Sequence, residues 1–181
     1  MPYFQPDFTL LCYRDLTADF LREQGVKVLL LDIDNTLAPY EQLDPDEPIF
    51  RWFSTLHAAG IQTALLSNNR GDRMARFNKA LKLPCRSGAC KPLPFRGRKL
   101  MKALGGTAKT TMLMGDQVFT DVLCAHHMGA RVILVPPIKD KTNLTTRTKR
   151  YFERFILKRY YKRLPDAPDI RRGSPLTKEH V

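Results

Sequence analysis

An α/β fold, a doubly wound parallel sheet with helices on both faces, is predicted by three features of the sequence. Short aliphatic runs alternate with longer segments of helical periodicity along most of the chain. The clearest run, Val28-Leu29-Leu30-Leu31, is apolar throughout, as in a strand covered on both sides. Three of the runs end in clusters of acidic, hydroxyl or amide side chains, and open α/β sheets bind ligands beyond the carboxyl ends of their strands.

The elements follow in order. Asp15 or Thr17 caps a helix expected over about 15–24, striped by Leu16, Phe20 and Leu21 and stopped by Gly25. The first strand runs from Val26 to Leu31 and ends at Asp32. Asp44 or Asp46, with Pro48, opens the next helix; Ile49, Trp52, Phe53 and Leu56 share a face and Gly60 closes it. Residues 61–66 form the second strand, ending at Ser67-Asn68-Asn69. A helix over about 72–82 aligns Met74, Phe77 and Leu81. Leu83 to Ala89 fits either a short third strand or a loop. Lys91-Pro92 leads into a helix over about 94–104, halted by Gly105-Gly106. Residues 110–114 form a strand ending at Gly115-Asp116, and a helix over about 119–127 ends near Gly129. The last strand, 131–135, is broken by Pro136-Pro137.

The 181 residues suffice for one domain with a real core. With 43% apolar and 27% charged residues the chain is not globally disordered. The N-terminus lacks a basic region followed by an apolar run, so no signal peptide is expected. No apolar run is long enough to cross a bilayer. Four cysteines without a CxxC pair read as reduced thiols, which fits a cytoplasmic setting.

Phosphoryl transfer needs the residue types found at the strand ends. A phosphate ester repels nucleophiles, so a carboxylate must approach while cations neutralise the phosphoryl oxygens. A carboxylate-held Mg²⁺ and a lysine supply that charge. A second carboxyl must protonate the leaving oxygen and then activate water. Asp32-Ile33-Asp34-Asn35-Thr36, Ser67-Asn68, Lys91, and Gly115-Asp116 with Asp121 contain all of these groups. Taken singly, each has an ordinary alternative: Ser67-Asn68-Asn69 a turn, Lys91 a surface lysine, Asp121 a helix cap. His126 and His127 have no third partner at zinc-ligand spacing and read as surface or packing residues.

The series DxDNT, SNN, KP and GDxxxxD, in this order, resembles the haloacid dehalogenase (HAD) superfamily of phosphatases. LLLDIDNTL, GACKPLPF and MGDQVFTDVLCAHHMGARVILVPPI are similar to the YqeG-type branch of HAD subfamily IIIA, whose relatives include phosphatidylglycerophosphatases. The resemblance spans residues 10–138 and implies a Rossmann-like HAD fold. It implies Asp32 as nucleophile and metal ligand, and Asp34 as acid/base with its backbone carbonyl on the metal. It further implies that Thr36 holds the loop, and that Ser67 and the amide of Asn68 grip the phosphoryl group. Lys91 would balance charge, and Asp116 and Asp121 would complete a Mg²⁺ site near Gln117. Asn35 replaces the glycine of many HAD members, in agreement with this branch. The intervals from Thr36 to Ser67 and from Ser67 to Lys91 leave no room for a cap domain. An uncapped site admits a large phosphorylated substrate such as a phospholipid headgroup.

The formal charge of +12 is uneven, with +8 carried by residues 139–163. The stretch TTRTKRYFERFILKRYYKRL, residues 145–164, alternates aromatic and basic residues as a basic amphipathic helix. It suits peripheral docking on an anionic inner-membrane surface. The alternatives are binding of RNA or a ribosomal particle, or packing on the domain itself. The expected organisation is a catalytic domain over 1–138, this extension over 139–164, and a disordered tail over 165–181.

Overall fold

The computed structural model describes residues 2–139. Six strands form one all-parallel sheet: β1 (Phe8–Thr9), β2 (Val28–Leu31), β3 (Gln62–Leu66), β4 (Cys85–Arg86), β5 (Thr111–Gly115) and β6 (Arg131–Leu134), in the order β1-β6-β5-β2-β3-β4. The helices are α1 (Ala18–Glu23), α2 (Glu47–Ala58), α3 (Asp72–Leu81), α4 (Phe95–Ala103) and α5 (Leu123–Met128). This is the expected doubly wound α/β architecture. The expected helix over 145–164 and the tail over 165–181 lie outside the described residues.

Period-two side-chain alternation divides the core. Leu29 and Leu31 of β2 face one layer, built with Ile49, Phe53 and Leu56 of α2 and Met74 and Phe77 of α3. Val28 and Leu30 face the other, built with Leu100 and Met101 of α4 and Ala125 and Met128 of α5. All four β2 side chains are fully buried, each contributing about 1.5–3 kcal/mol if fully desolvated on folding.

Several boundaries differ from expectation for local reasons. Thr17, not Asp15, caps α1, accepting from the Phe20 N–H at 3.2 Å; Asp15 closes a preceding 3₁₀ turn, Tyr13–Asp15. Asp46 caps α2 by accepting from the Ile49 N–H. The ambiguous stretch contains β4, a two-residue strand on the sheet edge. The opposite edge strand, β1, is too short to leave a pattern in sequence. The helix expected over 119–127 begins as one wide π-helical turn, Val118–Val122, which runs directly into α5.

All four cysteines are free thiols. No helix among the described residues is long and apolar enough to cross a membrane.

Candidate active site

Strand order reverses at β2: β3 lies to one side and β5 to the other. That switch point is where an α/β sheet opens a crevice beyond its carboxyl ends. Asp32 follows β2, Ser67 and Asn68 follow β3, and Asp116 follows β5. The two central strand ends are tied together where the Asp32 N–H donates to the Met114 carbonyl at 3.0 Å.

Lys91 sits at the middle of the group. Its Nζ donates to Asp32 Oδ1 at 2.7 Å and to Asp121 Oδ1 at 2.6 Å, with all three side chains buried. Asp116 completes the cluster: ligand atoms of Asp32, Asp116 and Asp121 lie within 4.8 Å of one another. Gln117 Nε2 reaches Asp116 Oδ1 at 3.4 Å.

The charges do not balance. Three carboxylates share one ammonium, which leaves two negative charges in a dry pocket when all are ionised. Burial pushes the Asp32 carboxyl up to about 7; the Lys91 ammonium lowers it, while Asp121 adds repulsion. Burial works against the Lys91 cation, but the attraction of Asp121 and Asp32 outweighs it and holds the ammonium charged. A set of hard oxygen donors with excess negative charge fits a divalent cation such as Mg²⁺ or Ca²⁺.

Asp121 is fully buried because Gly115 yields space to it. A Cβ at Gly115 would lie 2.2 Å from Asp121 Cγ, so no side chain is compatible with this approach. Asp121 Oδ2 accepts from the Gln117 N–H at 3.1 Å and from Thr120 Oγ1 at 3.3 Å. The carboxylate therefore serves the local turn through one oxygen and Lys91 through the other.

Asn68 positions the lysine rather than presenting its carboxamide to the crevice. Its Oδ1 accepts from the Lys91 N–H at 2.6 Å, and its Nδ2 donates to the Lys91 carbonyl at 3.0 Å. Ser67 is buried, and its Oγ accepts from the Asn69 N–H at 3.1 Å. The Thr36 N–H donates to the Ile33 carbonyl at 3.2 Å. The Thr36 hydroxyl and the Asn35 carboxamide are buried without hydrogen-bond partners. Asn35 adopts φ 64°, a left-handed conformation that asparagine tolerates better than most residues.

The Asp34 carboxylate stands outside the three-carboxylate cluster and pairs with Arg73 at 2.5 Å. Sequence reasoning missed Arg73, which sits near the start of α3 and is 8% exposed. It also donates to the Gln42 carbonyl at 2.5 Å and the Pro39 carbonyl at 2.9 Å, and lies 5.0 Å from the centre of the Tyr40 ring. One guanidinium thus fastens the loop after β2 and orients Asp34. The signal it left is weak: an arginine at the second position of a helix that follows the SNN cluster. Arg73→Ala is expected to lower stability by about 3 kcal/mol in urea unfolding, because it strands a part-buried carboxylate and two carbonyls. Arg73→Lys is expected to recover part of that loss but not all three bonds.

His126 and His127 lie apart from this cluster. His126 approaches Asp7 at 3.5 Å and the Tyr3 carbonyl at 2.8 Å, and His127 pairs with the Pro92 carbonyl. Among the described residues, Asp32, Asp116 and Asp121 form the one group placed to hold a metal.

The α/β fold and its buried carboxylate–lysine cluster suit phosphoryl transfer, and comparison with known proteins gives the class. A HAD-hydrolase-like family model matches residues 89–150. The chain is 30% identical over 155 residues to the protein named "Probable phosphatase YqeG" of Bacillus subtilis, covering 86% of this chain and 90% of that one. Its fold is similar to a hypothetical protein of Xanthomonas campestris at 21% identity and a TM-score of 0.51, covering 67% of this chain and 71% of the other. It is also similar to a HAD family hydrolase of Streptomyces avermitilis at 16% identity and a TM-score of 0.50, covering 67% and 80%. The chain belongs to the HAD superfamily of phosphatases, in the YqeG-type branch.

Proposed function

We propose that the chain is a Mg²⁺-dependent phosphomonoester hydrolase that works through an aspartyl-phosphate on Asp32. The observation that carries this reading is the buried Lys91 ammonium bridging Asp32 and Asp121 beside Asp116. Lys91 engages Asp32 Oδ1, and Oδ2 is the proposed nucleophile. It attacks phosphorus as the bond to the leaving oxygen breaks, and Asp34 gives that oxygen its proton. Water then attacks the same phosphorus, Asp34 takes back a proton, and Asp32 is released as a carboxylate with inorganic phosphate. Ser67 and the backbone amide of Asn68 bind the remaining phosphoryl oxygens. Asp32, Asp116, the Asp34 carbonyl and Asp121, through water, would hold Mg²⁺, which when bound supplies the charge that offsets the phosphoryl oxygens.

The substrate class in this reading is a large phosphorylated molecule, with a phospholipid such as phosphatidylglycerophosphate as the favoured member. Its supports are the family resemblance and the lack of space for a cap in the sequence intervals. The proposed setting is cytoplasmic, with peripheral contact at the inner membrane surface through residues 145–164.

The covalent step can be tested directly. Rapid acid quench of the protein with Mg²⁺ and p-nitrophenyl phosphate should yield a phosphate adduct on the peptide containing Asp32 by mass spectrometry. EDTA should abolish both adduct and turnover. Turnover that persists in EDTA without any adduct would falsify the mechanism.

A further inference from the structure

Charge within the domain is uneven along the sequence. Between Arg73 and Gly115 the sequence holds eleven Lys/Arg and no Asp/Glu. This stretch runs through α3 on one face of the sheet, the edge strand β4, and α4 on the other face, before entering β5; within it Arg73, Arg76 and Lys91 are paired with carboxylates. The remainder of residues 1–138 has more acidic than basic residues.

Helix α4 presents part of this charge beside the site. Gly97, Leu100 and Met101 are its buried face. A Cβ at Gly97 would meet Met128 Sδ at 2.4 Å, so α4 lies directly on α5. That seating turns Phe95, Arg96, Arg98 and Lys99 outward. Phe95 is 71% exposed and Leu93 52% exposed, and both fall within four residues of Lys91. Arg96 and Arg98 each donate to one backbone carbonyl, of Ser87 and His127, which leaves further N–H groups on each guanidinium.

Three more exposed apolar side chains leave the same edge of the sheet. Tyr40 and Leu43 are in the loop after β2, and Ile138 follows β6, its N–H donating to the Asn35 carbonyl at 3.1 Å. Scattered exposed hydrophobic residues, such as Tyr3 and Leu11, need no explanation; Leu93 and Phe95 differ in standing two residues apart on this rim beside exposed Arg96, Arg98 and Lys99.

We propose that this rim docks on an anionic phospholipid bilayer, with Phe95 and Leu93 entering the interface and Arg96 and Arg98 meeting headgroup phosphates. Aliphatic side chains gain from a lipid interface, whereas a single-stranded nucleic acid is held chiefly by aromatic stacking. Three of the five rim residues are aliphatic. The exposed Arg96, Arg98 and Lys99 beside them add attraction to an anionic leaflet. The proposal deepens the phosphatase reading and rests on it only for the position of the reacting phosphate.

The test uses the full chain. A Phe95→Trp variant is mixed with phosphatidylglycerol vesicles whose acyl chains carry bromine; Trp52 is buried, so the new indole reports the rim. Quenching is expected with these vesicles and not with phosphatidylcholine vesicles. A Leu93→Ala/Phe95→Ala double variant should bind phosphatidylglycerol vesicles at least tenfold more weakly, while turning over soluble p-nitrophenyl phosphate at the wild-type rate. Vesicle binding without quenching would place the contact elsewhere in the chain and overturn the proposal. Binding to single-stranded RNA but not to vesicles would overturn it in favour of nucleic acid. Quenching in a protein that cannot hydrolyse p-nitrophenyl phosphate would support the docking surface and sink the phosphatase reading instead.

Discussion

Metal-free protein carrying Asp32→Asn should melt at a higher temperature than the wild type at pH 8, and the gap should close as pH falls towards 4. Burial raises Asp32 from 3.8 to about 7 in the folded state. Between those values the folded protein holds a proton that the unfolded chain has released. Wild-type stability therefore declines as pH rises through this window and levels off above about 7. The full shift corresponds to about 4 kcal/mol, an upper bound because the buried Lys91 ammonium 2.7 Å from Asp32 shares in the same charge interaction. Asn removes the charge and leaves Lys91 paired with Asp121 at 2.6 Å. The same substitution should lower turnover by about 10³-fold or more, since the nucleophile is gone. Thermal melts in EDTA across this range, with and without added Mg²⁺, provide the check. Added Mg²⁺ should raise the wild-type melting temperature most at the alkaline end. A variant less stable than wild type above pH 7 would show that Asp32 is not strained.

Gly115→Ala should remove the site by a different route. The new methyl would occupy the space of the Asp121 carboxylate, 2.2 Å from its Cγ. Asp121 must then withdraw from Lys91, and the π-helical turn that carries it must shift. The loss of a buried ionic partner costs about 3–5 kcal/mol. Because the third carboxylate of the cluster moves, metal affinity should fall by about 10- to 100-fold. Calorimetric Mg²⁺ titration and urea unfolding of the purified variant would measure both effects. Wild-type metal affinity in Gly115→Ala would mean that Asp121 plays no part in holding the ion.

The sequence carried most of the architecture but less of the wiring. The long central strands were readable because buried aliphatic runs end abruptly at polar clusters, which follow β2, β3 and β5 at one edge of the sheet. The two edge strands were not, since Phe8–Thr9 and Cys85–Arg86 are each two residues long and take their conformation from neighbours. Asp121 had two readings, metal-site residue and helix cap. The structure shows a double duty: one oxygen serves Lys91 and the other serves local backbone and the Thr120 hydroxyl. Arg73 was hidden because nothing near it in sequence signals burial. Its partners Asp34, Pro39 and Gln42 lie over thirty residues away and meet it only after the loop folds back. Asn68 was expected to serve the phosphoryl group through its amide; the tie of its side chain to Lys91 had no signal in the sequence.

Asn68 and Lys91 act as one unit. The ammonium is carried by one segment of the chain but indexed by another, through a two-pronged amide grip on its main chain. Damage to Asn68 would therefore mimic a weakened cation even with every charged group intact. Defects at the two positions would overlap rather than accumulate.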